Sequence, residues 1–132
     1  MSERYVIDAY AWVEYLIGSD AGGEVKTALE REDNEIYTCA VTIAEVISKT
    51  IREGRSPETA YEIMISDSNI IDVNHELSRD VGVLHAEIRK RIKDFGLADA
   101  YVLVSARNLG AKVLTGDPHF KGFKEAILIK QL

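Results

Sequence analysis

The chain's 132 residues fall within the size of one ordinary domain, long enough to bury a core without disulfides or structural zinc. Cys39 is the single cysteine, which excludes an intrachain disulfide and a Cys-based zinc site, and no apolar run approaches the roughly 20 residues needed to cross a bilayer. A net charge of −6 argues against a nucleic-acid partner until its distribution is read: residues 1–35 hold three basic and nine acidic side chains, residues 85–132 nine basic and five acidic.

The opening Met1-Ser2-Glu3-Arg4-Tyr5 has neither the basic start nor the apolar run of a signal peptide, so a single domain over 1–132 in a reducing cytoplasm is expected. Tyr5-Val6-Ile7 reads as a short strand ending at Asp8, and residues 9–17 as a helix stopped by Gly18. A second helix is expected over 21–31, capped by Ser19 or Asp20. Residues 36–39 are β-like, and Ile43, Val46, Ile47, Thr50 and Ile51 then recur at helical spacing as far as Gly54. Ser56-Pro57-Glu58 combines a capping hydroxyl, a first-turn proline and an acid at the positive end, predicting a helix to Ser68.

A strand is expected at 70–73, followed by a long helix with Leu77, Val81, Leu84, Ile88 and Ile92 on one face. Asp94-Phe95-Gly96 breaks it, and residues 97–109 are apolar on almost every side, the pattern of a buried helix. Two further strands, 112–115 and 126–129, flank the turn-rich Gly116-Asp117-Pro118-His119. Alternating strands and helices imply an α/β layer fold with a mostly parallel sheet.

Four carboxylates stand where strands hand over to helices or loops. Asp8 directly precedes a helix, where aspartate also serves as an N-cap. Glu45 lies opposite the apolar stripe of its helix, facing water or a cleft, and Lys49 four residues on offers it an ordinary ion pair. Asp117, in a Gly-Asp-Pro turn, has the common local role of hydrogen-bond acceptor. Asp99 is harder to explain locally: its helical neighbours are Val102, Leu103 and Ala106. The helix macrodipole offers about 0.3–1 kcal/mol, less than the several kcal/mol that uncompensated burial of a charge costs. Ligands in open α/β sheets bind beyond the carboxyl ends of the strands, so the shared placement of these acids points to one cation-binding cluster.

Nearly the whole sequence also resembles the PIN-domain family, and most closely its VapC-type toxins. Val6-Ile7-Asp8-Ala9 resembles the opening hydrophobic-Asp motif, and Thr42-Ile43-Ala44-Glu45-Val46 the Glu-bearing helix. Gly96-Leu97-Ala98-Asp99-Ala100 resembles the Asp-bearing helix start, and Leu114-Thr115-Gly116-Asp117 the terminal Thr-x-Asp. The sequence departs from the pattern at His119, where many relatives carry another acid.

The resemblance implies a three-layer α/β/α domain and a Mg2+- or Mn2+-dependent endoribonuclease that cleaves RNA with metal-activated water, leaving a 5′-phosphate and a 3′-hydroxyl. Asp8 and Asp99 would be the principal metal ligands, with Asp117 and Glu45 completing the cluster and Thr115 orienting a carboxylate or water. Oxygen donors suit these hard cations. The resemblance further implies a homodimer, held inactive by a small VapB-like antitoxin whose tail lies across the helices near the site.

The run Arg89, Lys90, Arg91 and Lys93 is either a phosphate path for RNA or a solvated helix end. His75, His85 and His119 have no partner at metal-ligand spacing and read as surface or helix histidines; Tyr10, Trp12 and Tyr15 read as core or interface. Two alternatives stay open: an RNA-processing PIN nuclease without an antitoxin, and a catalytically silent PIN-like module that binds RNA or protein.

Overall fold

The computed structural model describes residues 2–129. Its elements run β1 (Arg4–Ile7), α1 (Ala9–Ile17), α2 (Gly22–Glu30), β2 (Glu35–Cys39), α3 (Ala40–Arg52), α4 (Pro57–Asp67), β3 (Asn69–Ile71), α5 (His75–Arg89), α6 (Leu97–Leu109), β4 (Lys112–Thr115) and β5 (Ala126–Leu128). A 3-10 turn, Pro118–Phe120, lies between the last two strands. The five strands form one sheet in the order β3-β2-β1-β4-β5, and all four pairings are parallel. The three-layer α/β/α architecture expected from the sequence is therefore the observed one.

The layers follow from strand order and handedness. The connections β1 to β2 and β2 to β3 step in one direction along the sheet, whereas β3 to β4 steps back past β1. Right-handed crossovers then put α1–α4 on one face and α5–α6 on the other. The side chains agree, because neighbouring residues of a strand point to opposite faces. Ile7, Ile36 and Leu114 pack with Trp12, Val25, Val46 and Met64, while Val6 and Val113 pack with Val81, Ile88 and Leu103.

Most boundaries fall within a residue or two of the expected ones, and three of the differences have a local reason. β3 ends at Ile71, because Asn74 caps α5 by accepting from the Leu77 N–H at 2.8 Å and so turns the chain early. α5 ends at Arg89, and the Arg91 and Ile92 amides both donate to the Ile88 carbonyl in the turn that follows. α2 begins at Gly22, where Ser19 Oγ accepts the Gly22 N–H at 3.1 Å. A Cβ on Gly22 would stand 2.3 Å from the Glu14 carbonyl oxygen, so glycine lets α2 close against α1.

Two buried groups fix the sheet's carboxyl edge. Trp12 is fully buried and its indole N–H donates to Thr38 Oγ1 at 3.0 Å, which ties α1 to β2. Phe95, Phe120 and Phe123 form a cluster with ring centroids 5.5–6.3 Å apart. It joins the loop before α6 to the loop after β4, and these loops carry three of the polar groups described next.

Candidate metal centre at the sheet switch point

The strand order reverses between β1 and β4, where an open parallel sheet leaves a crevice beyond its carboxyl ends. A cleft of about 640 Å³ lies there, and Asp8, Glu45, Asp99 and Asp117 all line it. Residues separated by up to 109 positions thus share one space. Asp8 follows β1, Glu45 comes from α3, Asp99 from the first turn of α6, and Asp117 follows β4.

Hydrogen bonds hold the acids in place. Asp8 is buried; its Oδ1 accepts from the Ala11 N–H at 2.9 Å and its Oδ2 from the Thr115 hydroxyl. Thr115 Oγ1 in turn accepts the Asp117 N–H at 2.9 Å, so one hydroxyl links two of the carboxylate-bearing residues. Asp99 Oδ2 accepts the Gly96 N–H at 3.1 Å, and Asp117 Oδ1 accepts the His119 N–H at 2.9 Å. The local roles foreseen for Asp8 and Asp117, helix cap and turn acceptor, are present, and Asp99 has an unforeseen one as acceptor of the Gly96 N–H. These roles coexist with a place in the cleft, since a carboxylate oxygen has a second lone pair.

Electrostatics mark the cluster as one that calls for a cation. Burial raises the Asp8 carboxyl to about 7 against hydrogen bonds from Thr115 and Ala11, with Asp99 and Asp117 adding repulsion. Burial also raises Glu45, helped by Asp99 and Asp117. Asp99 is raised by burial and by Asp117, while the Gly96 N–H, His119 and His85 pull it back. Carboxylates crowded out of water take up protons unless positive charge replaces them.

Among the described residues, the donor atoms that all lie within 4.8 Å of one another belong to Asp99, Asp117 and His119. Asp8 and Glu45 line the same cleft outside that compact set. His119 corrects the reading of it as a surface or helix histidine: its ring Nδ1 is 3.0 Å from Asp117 Oδ1, and folding brings Asp99 beside it. The proximity of Asp99 has no counterpart in sequence spacing. His85 is the helix histidine expected, carried by α5 and partly buried, with Nε2 3.0 Å from the Phe95 carbonyl oxygen.

The cations of the cleft are Lys49 and Arg52 of α3. Lys49 pairs with Glu53 at 3.9 Å, not with Glu45 as its spacing allowed, which leaves the Glu45 carboxylate to the cleft. Arg89, Lys90, Arg91 and Lys93 are exposed at and beyond the end of α5, and none lines the cleft. Tyr10 does line it, with its ring against Gly116, where a Cβ would meet that ring at 2.3 Å. Cys39 is buried, its thiol pushed up to about 11 by desolvation against a hydrogen bond to Ser105.

The family model of the PIN domain matches residues 5–126. The chain belongs to the PIN-domain family. Among curated proteins, none matches the sequence. Solved structures share the PIN fold over nearly the whole chain. A toxin–antitoxin complex from Klebsiella pneumoniae is 18% identical with a TM-score of 0.75, covering 97% of this chain and 99% of its own. The sarcin-ricin-loop-cleaving VapC toxin of Mycobacterium tuberculosis is 17% identical with a TM-score of 0.73, over 92% and 97%. The VapBC pair of Rickettsia felis, bound to a DNA fragment from its promoter, is 19% identical with a TM-score of 0.70, over 95% and 96%. No helix of this PIN domain is long and apolar enough to cross a membrane.

Proposed function

We propose that the cleft is the active site of a divalent-metal-dependent endoribonuclease, and that the protein is the toxin of a VapBC-type pair. The observation that carries this reading is the convergence of Asp8, Glu45, Asp99 and Asp117 of a PIN-family chain on one cleft. The donor set fits a hard or borderline divalent ion such as Mg2+ or Mn2+, being carboxylate oxygens with one imidazole beside them. When bound, such an ion supplies Lewis acidity for phosphodiester hydrolysis and lowers the pKa of water.

Asp99 and Asp117 would hold the ion with Asp8, and Glu45 would reach it directly or through water. Thr115 fixes the orientation of Asp8 and of the Asp117 backbone. Lys49 and Arg52 suit the phosphates that flank the scissile bond, because among the described residues they bring the positive charge to the cleft wall. The outer run Arg89, Lys90, Arg91 and Lys93 would engage more distant phosphates through long-range attraction, which weakens with salt.

Cleavage of total RNA with manganese, followed by mapping of the ends, tests the chemistry. Product 5′-phosphates and loss of cleavage in Asp99→Asn are expected; parental rates in that variant would remove the reading. The toxin assignment draws on the toxin–antitoxin character of the similar structures. Expression should arrest growth, and co-expression of a small neighbouring open reading frame should relieve the arrest. Cleavage without arrest would favour an RNA-processing nuclease. The same reading includes a homodimer acting in the cytoplasm, to be checked by light scattering of the purified chain.

A further inference from the structure

One donor at this centre differs chemically from the others. Asp99, Asp117 and His119 present their ligand atoms within 4.8 Å of one another, and the third is an imidazole. Its placement is built by the fold. The His119 N–H donates to Asp117 Oδ1 at 2.9 Å, ring Nδ1 lies 3.0 Å from the same oxygen, and the adjoining Phe120 is fully buried among phenylalanines. A neutral imidazole carries its proton on one nitrogen. With that proton on Nε2, the Nδ1 lone pair stands 3.0 Å from Asp117 Oδ1, the separation that two donors sharing one octahedral ion at about 2.1 Å would have.

We propose that His119 is a nitrogen ligand of the divalent ion and biases the centre toward manganese over magnesium. This inference rests on the metal-dependent reading of the cleft. Magnesium is hard, takes oxygen donors and gives up its waters reluctantly. Imidazole suits first-row transition metals, and the carboxylates around it accept either ion. Discrimination between the two therefore falls to His119.

The test is calorimetric titration of the full chain with Mn2+ and with Mg2+, combined with pulsed electron paramagnetic resonance of the Mn2+-loaded protein. The parent should show nitrogen coupling to Mn2+. His119→Asp, which restores an all-oxygen set, should lose that coupling and reduce the Mn2+/Mg2+ affinity ratio on the order of tenfold. His119→Asn removes the imidazole without adding a charge and keeps the backbone N–H for Asp117, and should behave as the aspartate variant does. Retention of the manganese preference in His119→Asn, or Mn2+ binding by the parent without nitrogen coupling, overturns the inference. In the second case, loss of Mn2+ in Asp99→Asn would leave the metal centre itself standing. Failure of the parent to bind either ion overturns both.

Discussion

Burial holds the Asp8 carboxyl at a pKa of about 7, so at neutral pH and without a cation the folded chain binds a proton that the unfolded chain has released. Stability from this group is complete below the ordinary carboxylate range near 3.8 and is lost as pH rises through about 7. Glu45 and Asp99 shift the same way. The urea midpoint of the ion-free protein should fall between pH 4 and pH 8, and Asp8→Asn should flatten that fall. An equal slope in the variant would mean that Asp8 titrates normally. Thr115 acts through two partners, so Thr115→Val leaves the Asp117 N–H without its acceptor and Asp8 Oδ2 without its donor. A loss of about 1–3 kcal/mol is expected by denaturation, together with reduced affinity for Mn2+ in calorimetry.

Among the elements, the loops after β4 and before α6 decide whether the centre is preorganised. Phe120 and Phe95 pack edge to face at 5.5 Å, and the neighbouring residues His119 and Gly96 contact Asp117 and Asp99 respectively. Phe120→Ala should cost about 3–5 kcal/mol, the range for deleting a buried phenylalanine, and weaken Mn2+ binding more than an equally destabilising change far from the cleft. Equal effects of the two would show the cluster to be structural only. Most helices here were legible because their signals are local, as at Ser56, which caps α4 by accepting the Thr59 N–H at 3.2 Å. The end of β3 was not, because Asn74 competes for that stretch as the cap of α5. The closeness of α1 and α2 at Gly22 had no signal either, since it depends on which backbone lies opposite.

Across the whole molecule, the proposed ion binding in the cleft would be coupled to folding. Saturating Mn2+ at about 100 times its dissociation constant should stabilise the fold by about 2.7 kcal/mol, reversibly with a chelator. Asp99→Asn should abolish that gain in thermal unfolding; a gain that survives would place the ion elsewhere.

The sequence by itself determined the layered α/β class, the order of elements and the four acids, because periodicity, caps and strand-end carboxylates are written in neighbouring residues. The tertiary structure alone decided that Lys49 and Arg52, not the basic run from Arg89 to Lys93, line the cleft, and that His119 stands with Asp99 and Asp117. Distance between side chains from separate strands and helices is set by sheet order and packing, which spacing along the chain does not encode.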